Sequence, residues 1–579
     1  MKNKYLLVSS LFIFSNLIFS QTYIKNVTIV DVEQQKLSPN QTVVVTDDLI
    51  TNIQNHKNKK LPKDAIVIDG TGKYLIPGLI DSHIHFFQNG GLYTRPDAID
   101  LRKYKSYEQE IAYAKTDMEN KLRRYLQNGI TTVVDVGATY HFLKQRNDFT
   151  NKSFSPYIFI TGPLLTTYEP EVFEGLGEDE PFTLTKTVED GINGVREQLK
   201  YNPDLIKIWY IAGEDGLSVE KSALKNLPII KAIINEAHKN NLKVAVHATQ
   251  RITAQLAVEN GADFLVHSID DEILKDDFVQ LMKKNKIILS PTLITHSAYL
   301  NTFGQRIKMS NHELQKADPY QLGSLLDLKH LSENNLVKAY KDYANAPENI
   351  LAVNKTDSIS MANLKILSDA GVLIATGTDA GNIGTLHASS YLTELKAMQK
   401  SGMNNWKIIQ ASTINGAKVF DKENEFGSVT TGKKANLVLL DKNPIEDIEN
   451  LTKINTIINK GIVFKPDAII KSTPTDLVQR QLNAYNFRNI DAFLKPYADD
   501  VEVYSYPNKL LYTGKKKMRK QYSEMFNKIP NLHCELKERI VQGNTVIDKE
   551  RVQFGDQTIE VTAIYHIEKD KIKKVYFIE

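Results

Sequence analysis

Short apolar runs alternating with longer stretches of helical spacing across residues 79–420 predict an α/β chain built on a (β/α)8 TIM-type barrel. Two further observations complete the expected architecture. Short β-branched segments flank the alternating region on both sides, predicting one small composite β domain assembled from 21–78 and 421–470. After Lys471-Ser472-Thr473-Pro474-Thr475, which reads as a linker, residues 476–579 form a fresh α+β unit of common domain size. A chain of 579 residues is too long for one core, so several domains are required.

Taken in order, Lys2 and Lys4 precede an apolar stretch from Tyr5 to Phe19, closed by Ser20 and Gln21. That pattern is a signal peptide over 1–20, with an uncleaved anchor as the alternative, and it implies an exported, periplasmic or secreted protein. No later segment is long and apolar enough to cross a bilayer. The single cysteine, Cys534, excludes an intrachain disulfide. A formal net charge of +3 gives no global field for nucleic acid, and the clusters Lys57–Lys60 and Lys515–Lys517 read as solvated faces. Thr22–Val30, Thr42–Val45 and Ala65–Ile68 are the first strands of the β domain.

The barrel strands are expected at Leu79–His85, Thr131–Val136, Tyr157–Thr161, Ile206–Tyr210, Val244–His247, Phe264–His267, Ile287–Pro291 and Leu373–Thr378. Tyr107–Asn128, Leu227–Asn240 and Ile252–Asn260 have helical spacing between them. The interval His296–Leu364 is long for a connection and reads as a helical excursion of the kind that covers an active site. Asn436–Leu440, Lys453–Asn459 and Gly461–Lys465 return to the β domain. Thr545–Phe554, Ile559–Ile567 and Ile572–Ile578 supply strands of the last unit.

Chemistry concentrates at the strand ends. In Asp81-Ser82-His83-Ile84-His85 the two histidines are two apart, so on a strand they point to one side. Two imidazoles aimed at one place suit a borderline-soft divalent metal, although such a pair alone reads equally as a bystander. His247, His267 and Asp379 also fall at strand ends, and in a barrel those ends share the face where catalytic residues gather. Tyr210, after Lys207 on the fourth strand, and His141 and Thr292, after the second and seventh, are candidate substrate contacts, each readable also as packing at the barrel mouth.

His83-Ile84-His85, His247, His267 and Thr378-Asp379-Ala380-Gly381 resemble the metal-ligand series of the amidohydrolase superfamily, in its imidazolonepropionase-like and prolidase-like branch. Lys73–His83 resembles the entry into the first barrel strand of that family, and Ala411–Lys418 resembles the helix after the eighth. The resemblance implies two divalent ions, zinc by default, with His83, His85 and Asp379 on one and His247 and His267 on the other. It also implies that Lys207 carries a carbamate derived from carbon dioxide and bridges them. A free ammonium has no lone pair for a metal, and the alternative is a lysine snorkelling or ion-paired at a strand end.

The implied reaction is hydrolysis of an amide-like C–N bond in a small amide, dipeptide or lactam, with Asp379 as the proton-transfer group. An ester or phosphotriester substrate at the same site, or a non-catalytic small-molecule binding protein, are the rivals. The C-terminal unit resembles the SnoaL-like, nuclear-transport-factor-2-like fold through Gln481–Asn486, Tyr497–Val501 and its closing strands. Such a unit is expected to be cone-shaped around a small cavity, and it assigns no function. The expected partner is a small molecule, with no nucleic acid and no stable membrane span after signal cleavage; a homo-oligomer stays open.

Overall fold

The computed structural model describes residues 21–57, 61–331 and 335–578; the expected signal peptide lies outside the described residues. Among the described residues no helix is long and apolar enough to cross a membrane.

Five strands open the chain: β1 (Gln21–Asp31), β2 (Lys36–Thr46), β3 (Leu49–Asn55), β4 (Ile66–Asp69) and β5 (Tyr74–Pro77). Alternation buries Ile24, Val43 and Val45 on one face. The sheet is completed from the other side of the chain. β16 (Leu437–Leu440) pairs antiparallel with β5, aligning Leu437 with Pro77, and β17 (Ile454–Asn459) and β18 (Ile462–Phe464) extend it. The observed order is β18-β17-β16-β5-β1-β2-β3, with β4 alongside β1. This arrangement fixes the entry to the next strand, because Gly78 N–H donates to the Asn436 carbonyl at 2.7 Å.

The central region is TIM-barrel-like, with all its strands parallel. β6 (Leu79–Ile84), β7 (Ile130–Asp135) and β8 (Tyr157–Ile160) form one sheet. β9 (Leu164–Thr166), β10 (Phe182–Leu184), β11 (Ile206–Trp209), β12 (Val244–His247), β13 (Phe264–Val266), β14 (Ile288–Ser290) and β15 (Leu373–Ile374) form another, in the order β10-β9-β11-β12-β13-β14-β15. The eight expected strands are all present, but they do not make one continuous ring.

Both breaks have a local cause. The third expected strand kinks at Thr161-Gly162-Pro163: β8 pairs back to β7, and β9, beyond the kink, pairs on to β11. Proline has no N–H for a ladder bond, so pairing stops there. At the other break the segment after β15 meets β6 through irregular bonds, Ser82 N–H to the Thr376 carbonyl and Asp379 N–H to the His83 carbonyl, both at 2.8 Å. Asp379 has φ +55°, which takes this segment out of regular strand geometry. β9, beyond the end of the third expected strand at Thr161, and β10 have no counterpart among the expected strands.

The long excursion is helical, as its spacing predicts: Thr295–Phe303, Asn311–Lys316, Pro319–Ser324 and Asn335–Asn345 precede the helix Pro347–Asp369. The C-terminal unit starts two residues earlier than expected, with helix Pro474–Asn486. Thr473 caps it by accepting from Asp476 N–H at 3.1 Å, and Asp476 returns a bond to the cap. Its sheet is β20-β19-β24-β23-β22-β21, from β19 (Tyr497–Ser505), β20 (Lys509–Thr513), β21 (His533–Gln542), β22 (Thr545–Phe554), β23 (Gln557–Glu568) and β24 (Lys571–Ile578). Its apolar core is continuous with that of the excursion, where Leu314, Leu322 and Leu328 join Val478, Leu482 and Phe493.

Candidate metal centre

Three donor atoms converge at the end of β6. His83 Nε2 and His85 Nε2 lie 3.2 Å apart, and Asp379 Oδ1 is 3.2 Å from the first and 3.1 Å from the second. His83 is 0 % and Asp379 4 % exposed, so these groups meet away from bulk water. The strand pleat puts both histidines on one side, and the bend at Asp379 brings its carboxylate across to them. Gly377 permits the approach: a Cβ there would stand 2.6 Å from His83 Cβ and 2.1 Å from Ser290 Oγ.

His267, one residue beyond β13, has φ +75° and lies with its ring 4.8 Å from that of His83. His247, the last residue of β12, is 4.3 Å from His267 ring to ring. Lys207 sits on β11, in register with Ala245 of β12. It is 1 % exposed and has no hydrogen bond or ion pair among the described residues. The structure therefore gathers His85, Lys207, His247, His267 and Asp379 around one cavity, with His83, fully buried, completing a tight triple with His85 and Asp379.

Supporting contacts orient this set. Asp81 accepts from Thr378 N–H at 3.1 Å and Thr378 Oγ1–H at 2.8 Å, bracing the residue before Asp379. His85 Nδ1 lies 3.3 Å from the Gly137 carbonyl, which directs Nε2 to the triple. Thr292 Oγ1 is 2.7 Å from His267 Nδ1 and engages that nitrogen in the same way.

Burial sets the charge states. It lowers His83 to about 3 and carries His247 and His267 well below the usual imidazole range, favouring the neutral form that binds metals. Burial alone would raise the Asp379 carboxyl, yet the imidazoles of His83, His85 and His267 hold it well below the carboxylate range. Burial also brings the Lys207 amine down to about 7, against the opposing pull of Asp379 and Asp135. The neutral nitrogens and one ionised carboxylate fit a divalent cation of zinc type.

The cavity is about 300 Å³. Phe87, Phe182 and Trp209 give it an aromatic wall, and Asp270, His296 and Asp357 stand at its edge. Arg95, Tyr299 and Asn382 form a linked group: Arg95 Nη1–H and Tyr299 O–H both donate to Asn382 Oδ1, at 2.5 and 2.7 Å. Asp97 pairs with the same guanidinium, at 2.7 and 2.5 Å.

Of the candidate substrate contacts, Thr292 lines the cavity, while Tyr210 and His141 do not. The Tyr210 hydroxyl donates to the Ala223 carbonyl at 2.6 Å, and the His141 ring packs edge-on against Phe142. These two are corrected to packing roles. Strand alternation carries the signal for the residue that was missed: Lys207 and Trp209 share a face, and Tyr210 takes the opposite one. Arg95, Tyr299 and Asn382 have no such signal, being brought together from three distant segments.

A barrel-like scaffold with histidines and one aspartate at its strand ends defines a metal-binding hydrolase class. Residues 74–463 match the amidohydrolase family and residues 478–575 the SnoaL-like domain, and the chain belongs to the amidohydrolase family. Its relatives are imidazolonepropionase and prolidase-like amidohydrolases. Ochratoxinase of Aspergillus niger is 25% identical over 406 residues, covering 65% of this chain and 72% of its own. Imidazolonepropionase of Flavobacterium johnsoniae is 23% identical over 436 residues, covering 72% and 89%. A Xaa-Pro dipeptidase crystallised with methionine shares the fold at TM-score 0.57 and 22% identity, over 77% of this chain and 100% of that one.

Proposed function

We propose that the protein hydrolyses an amide-like C–N bond in a small amide, dipeptide or lactam, using two divalent ions, zinc by default. The observation that carries this reading is the convergence of His83 Nε2, His85 Nε2 and Asp379 Oδ1 within 4.8 Å of one another at the cavity. The relatives named for imidazolonepropionase and Xaa-Pro dipeptidase activity support a C–N substrate. His83, His85 and Asp379 would hold one ion, His247 and His267 the other. Lys207 would bridge them as a carbamate, a reading supported by its burial and by an amine brought down to about 7, where much of it is the nucleophilic neutral form. Bound ions would supply water activated near neutral pH and polarise the scissile carbonyl.

The chain's own groups do the rest. The Asp379 carboxylate takes the proton of the attacking water and returns it to the leaving nitrogen. Trp209, Phe182 and Phe87 exclude water from an apolar substrate group, which strengthens the electrostatics of the dry end of the cavity. The N-terminal Lys2, Lys4 and the apolar stretch to Phe19 support export before the enzyme acts.

The test is elemental metal analysis of the mature protein beside Lys207→Ala, followed by a screen of amides and dipeptides. About two ions per chain, falling sharply in the variant, is the expected result. One ion in both proteins would demote Lys207 to a structural residue, and none after reconstitution would sink the hydrolase reading.

A further inference from the structure

A second cavity, of about 470 Å³, opens where the barrel, the linker and the C-terminal domain meet, and it shares no lining residue with the catalytic cavity. One wall is the helix Asn311–Lys316, another the segment leading into the linker, and the third belongs to the helix Pro474–Asn486 with the turns at Lys495 and Lys571. Five cations line it, Lys316, Lys471, Arg480, Lys495 and Lys571, against two carboxylates.

The carboxylates leave this charge largely unbalanced. Asp467 comes no nearer than 3.9 Å to Lys316, with its side chain fully in solvent, and Asp570 makes no ion pair among the described residues. Arg480 is fixed in place by donating from Nη1 to the Leu314 carbonyl at 3.2 Å and from Nη2 to the Ala317 carbonyl at 2.9 Å. It forms no ion pair among the described residues, and Asp476 and Asp318 act on it only from a distance. Lys571 Nζ–H donates only to the Lys495 carbonyl, at 2.8 Å.

The cations feel one another. Burial lowers Lys316, and Arg480 and Lys495 add to the shift against Asp467; burial and Arg124 bring Arg480 down to about 10. A recess in which one sign of charge predominates focuses its field on an ion of the opposite sign. A half-buried guanidinium held by carbonyls gains most from an oxyanion, to which its remaining donors can bond.

We propose that this junction binds a soluble multivalent oxyanion, a phosphate ester or polycarboxylate, which ties the C-terminal domain to the barrel. Each of the three segments contributes cations, so the ligand neutralises repulsion across the junction that docking creates.

The test measures pyrophosphate binding to the full chain by calorimetry and thermal unfolding, at constant ionic strength, with and without a metal chelator. Saturable binding that survives chelation is expected, with Tm raised by about 2–4 °C at a hundredfold excess over Kd. Lys316→Gln with Lys571→Gln, both near the surface, is expected to weaken it at least about tenfold. Arg480→Gln serves as a second variant. A Tm change matched by chloride at equal ionic strength, binding lost on chelation, or an affinity unchanged in the double variant would each overturn the proposal. Cosedimentation with phosphatidylglycerol vesicles without pyrophosphate binding would place the oxyanion on a lipid headgroup and overturn the soluble ligand.

Discussion

The barrel mouth and the core of the C-terminal domain both bury ionisable groups, yet they bury them to different ends. In the C-terminal domain Arg539 pairs with both oxygens of Asp548, at 2.7 and 2.6 Å. Tyr565 donates to Glu550, Gln481 to Tyr565, and Tyr497 to Gln481, which closes a chain of bonds inside the sheet. At the barrel mouth Asp379 Oδ1 and His83 Nδ1 have no regular hydrogen bond, and Lys207 has no partner among the described residues. A buried polar group costs free energy unless it is satisfied. The C-terminal network is satisfied from within and is structural, whereas the barrel set faces a cavity and needs something from outside. Burial of charge therefore does not mark a reactive site; burial beside an open cavity without an internal partner does.

The contrast breaks first at Asp379. Asp379→Asn removes the proposed proton carrier and its ionised carboxylate, so kcat/KM on any amide turned over by the wild type is expected to fall about 10³-fold or more. Thermal unfolding should change little, and wild-type activity in the variant would remove Asp379 from the chemistry. In the other region Asp548→Asn leaves the Arg539 charge without its counter-ion. Denaturant unfolding of the C-terminal domain should lose about 3 kcal/mol, while the metal content of the barrel stays the same.

A pH profile sharpens the comparison. Burial, with Asp548 beside it, pushes Glu550 up to about 7 from an ordinary 4.5. The folded domain then holds a proton that the unfolded chain has released, so stability falls as pH rises from about 4.5 to about 7. Glu550→Gln should flatten that slope, a difference of roughly 2–3 kcal/mol between pH 5 and pH 8. An unchanged slope would show that the group is not buried as a neutral acid. The smallest effect is expected from Thr292→Val, which frees His267 Nδ1. Metal affinity should drop by about 10-fold, with Thr292→Ser restoring it; equal loss in both variants would assign Thr292 to backbone shape alone.

Much of this was legible along the chain. Leu79–His85 shows its strand character and the shared face of its histidines in one line of sequence, because strand period and side-chain direction are local properties. The placement of Lys207 within an apolar run and of His247 and His267 at the ends of two others is legible for the same reason, and so is the helical character of His296–Leu364. Local rules, applied one step further, would also have selected Trp209 over Tyr210.

The rest belongs to tertiary structure. Pro163 is visible in the sequence, but whether its kink ends a strand or splits one between two sheets depends on which neighbours the two halves meet, β7 and β11. The bond from Arg95 to Asn382 spans 287 positions and that from Tyr299 spans 83, so no periodicity relates them. The junction cavity draws Lys316 from the barrel's helical excursion and Arg480 and Lys571 from the C-terminal domain, and only docking makes their charges neighbours. Sequence determined which strands form and which faces their ligands take, because those follow from backbone geometry within a few residues. Only the folded chain decided what closes around those ligands, because long-range packing and charge depend on distances the sequence does not contain.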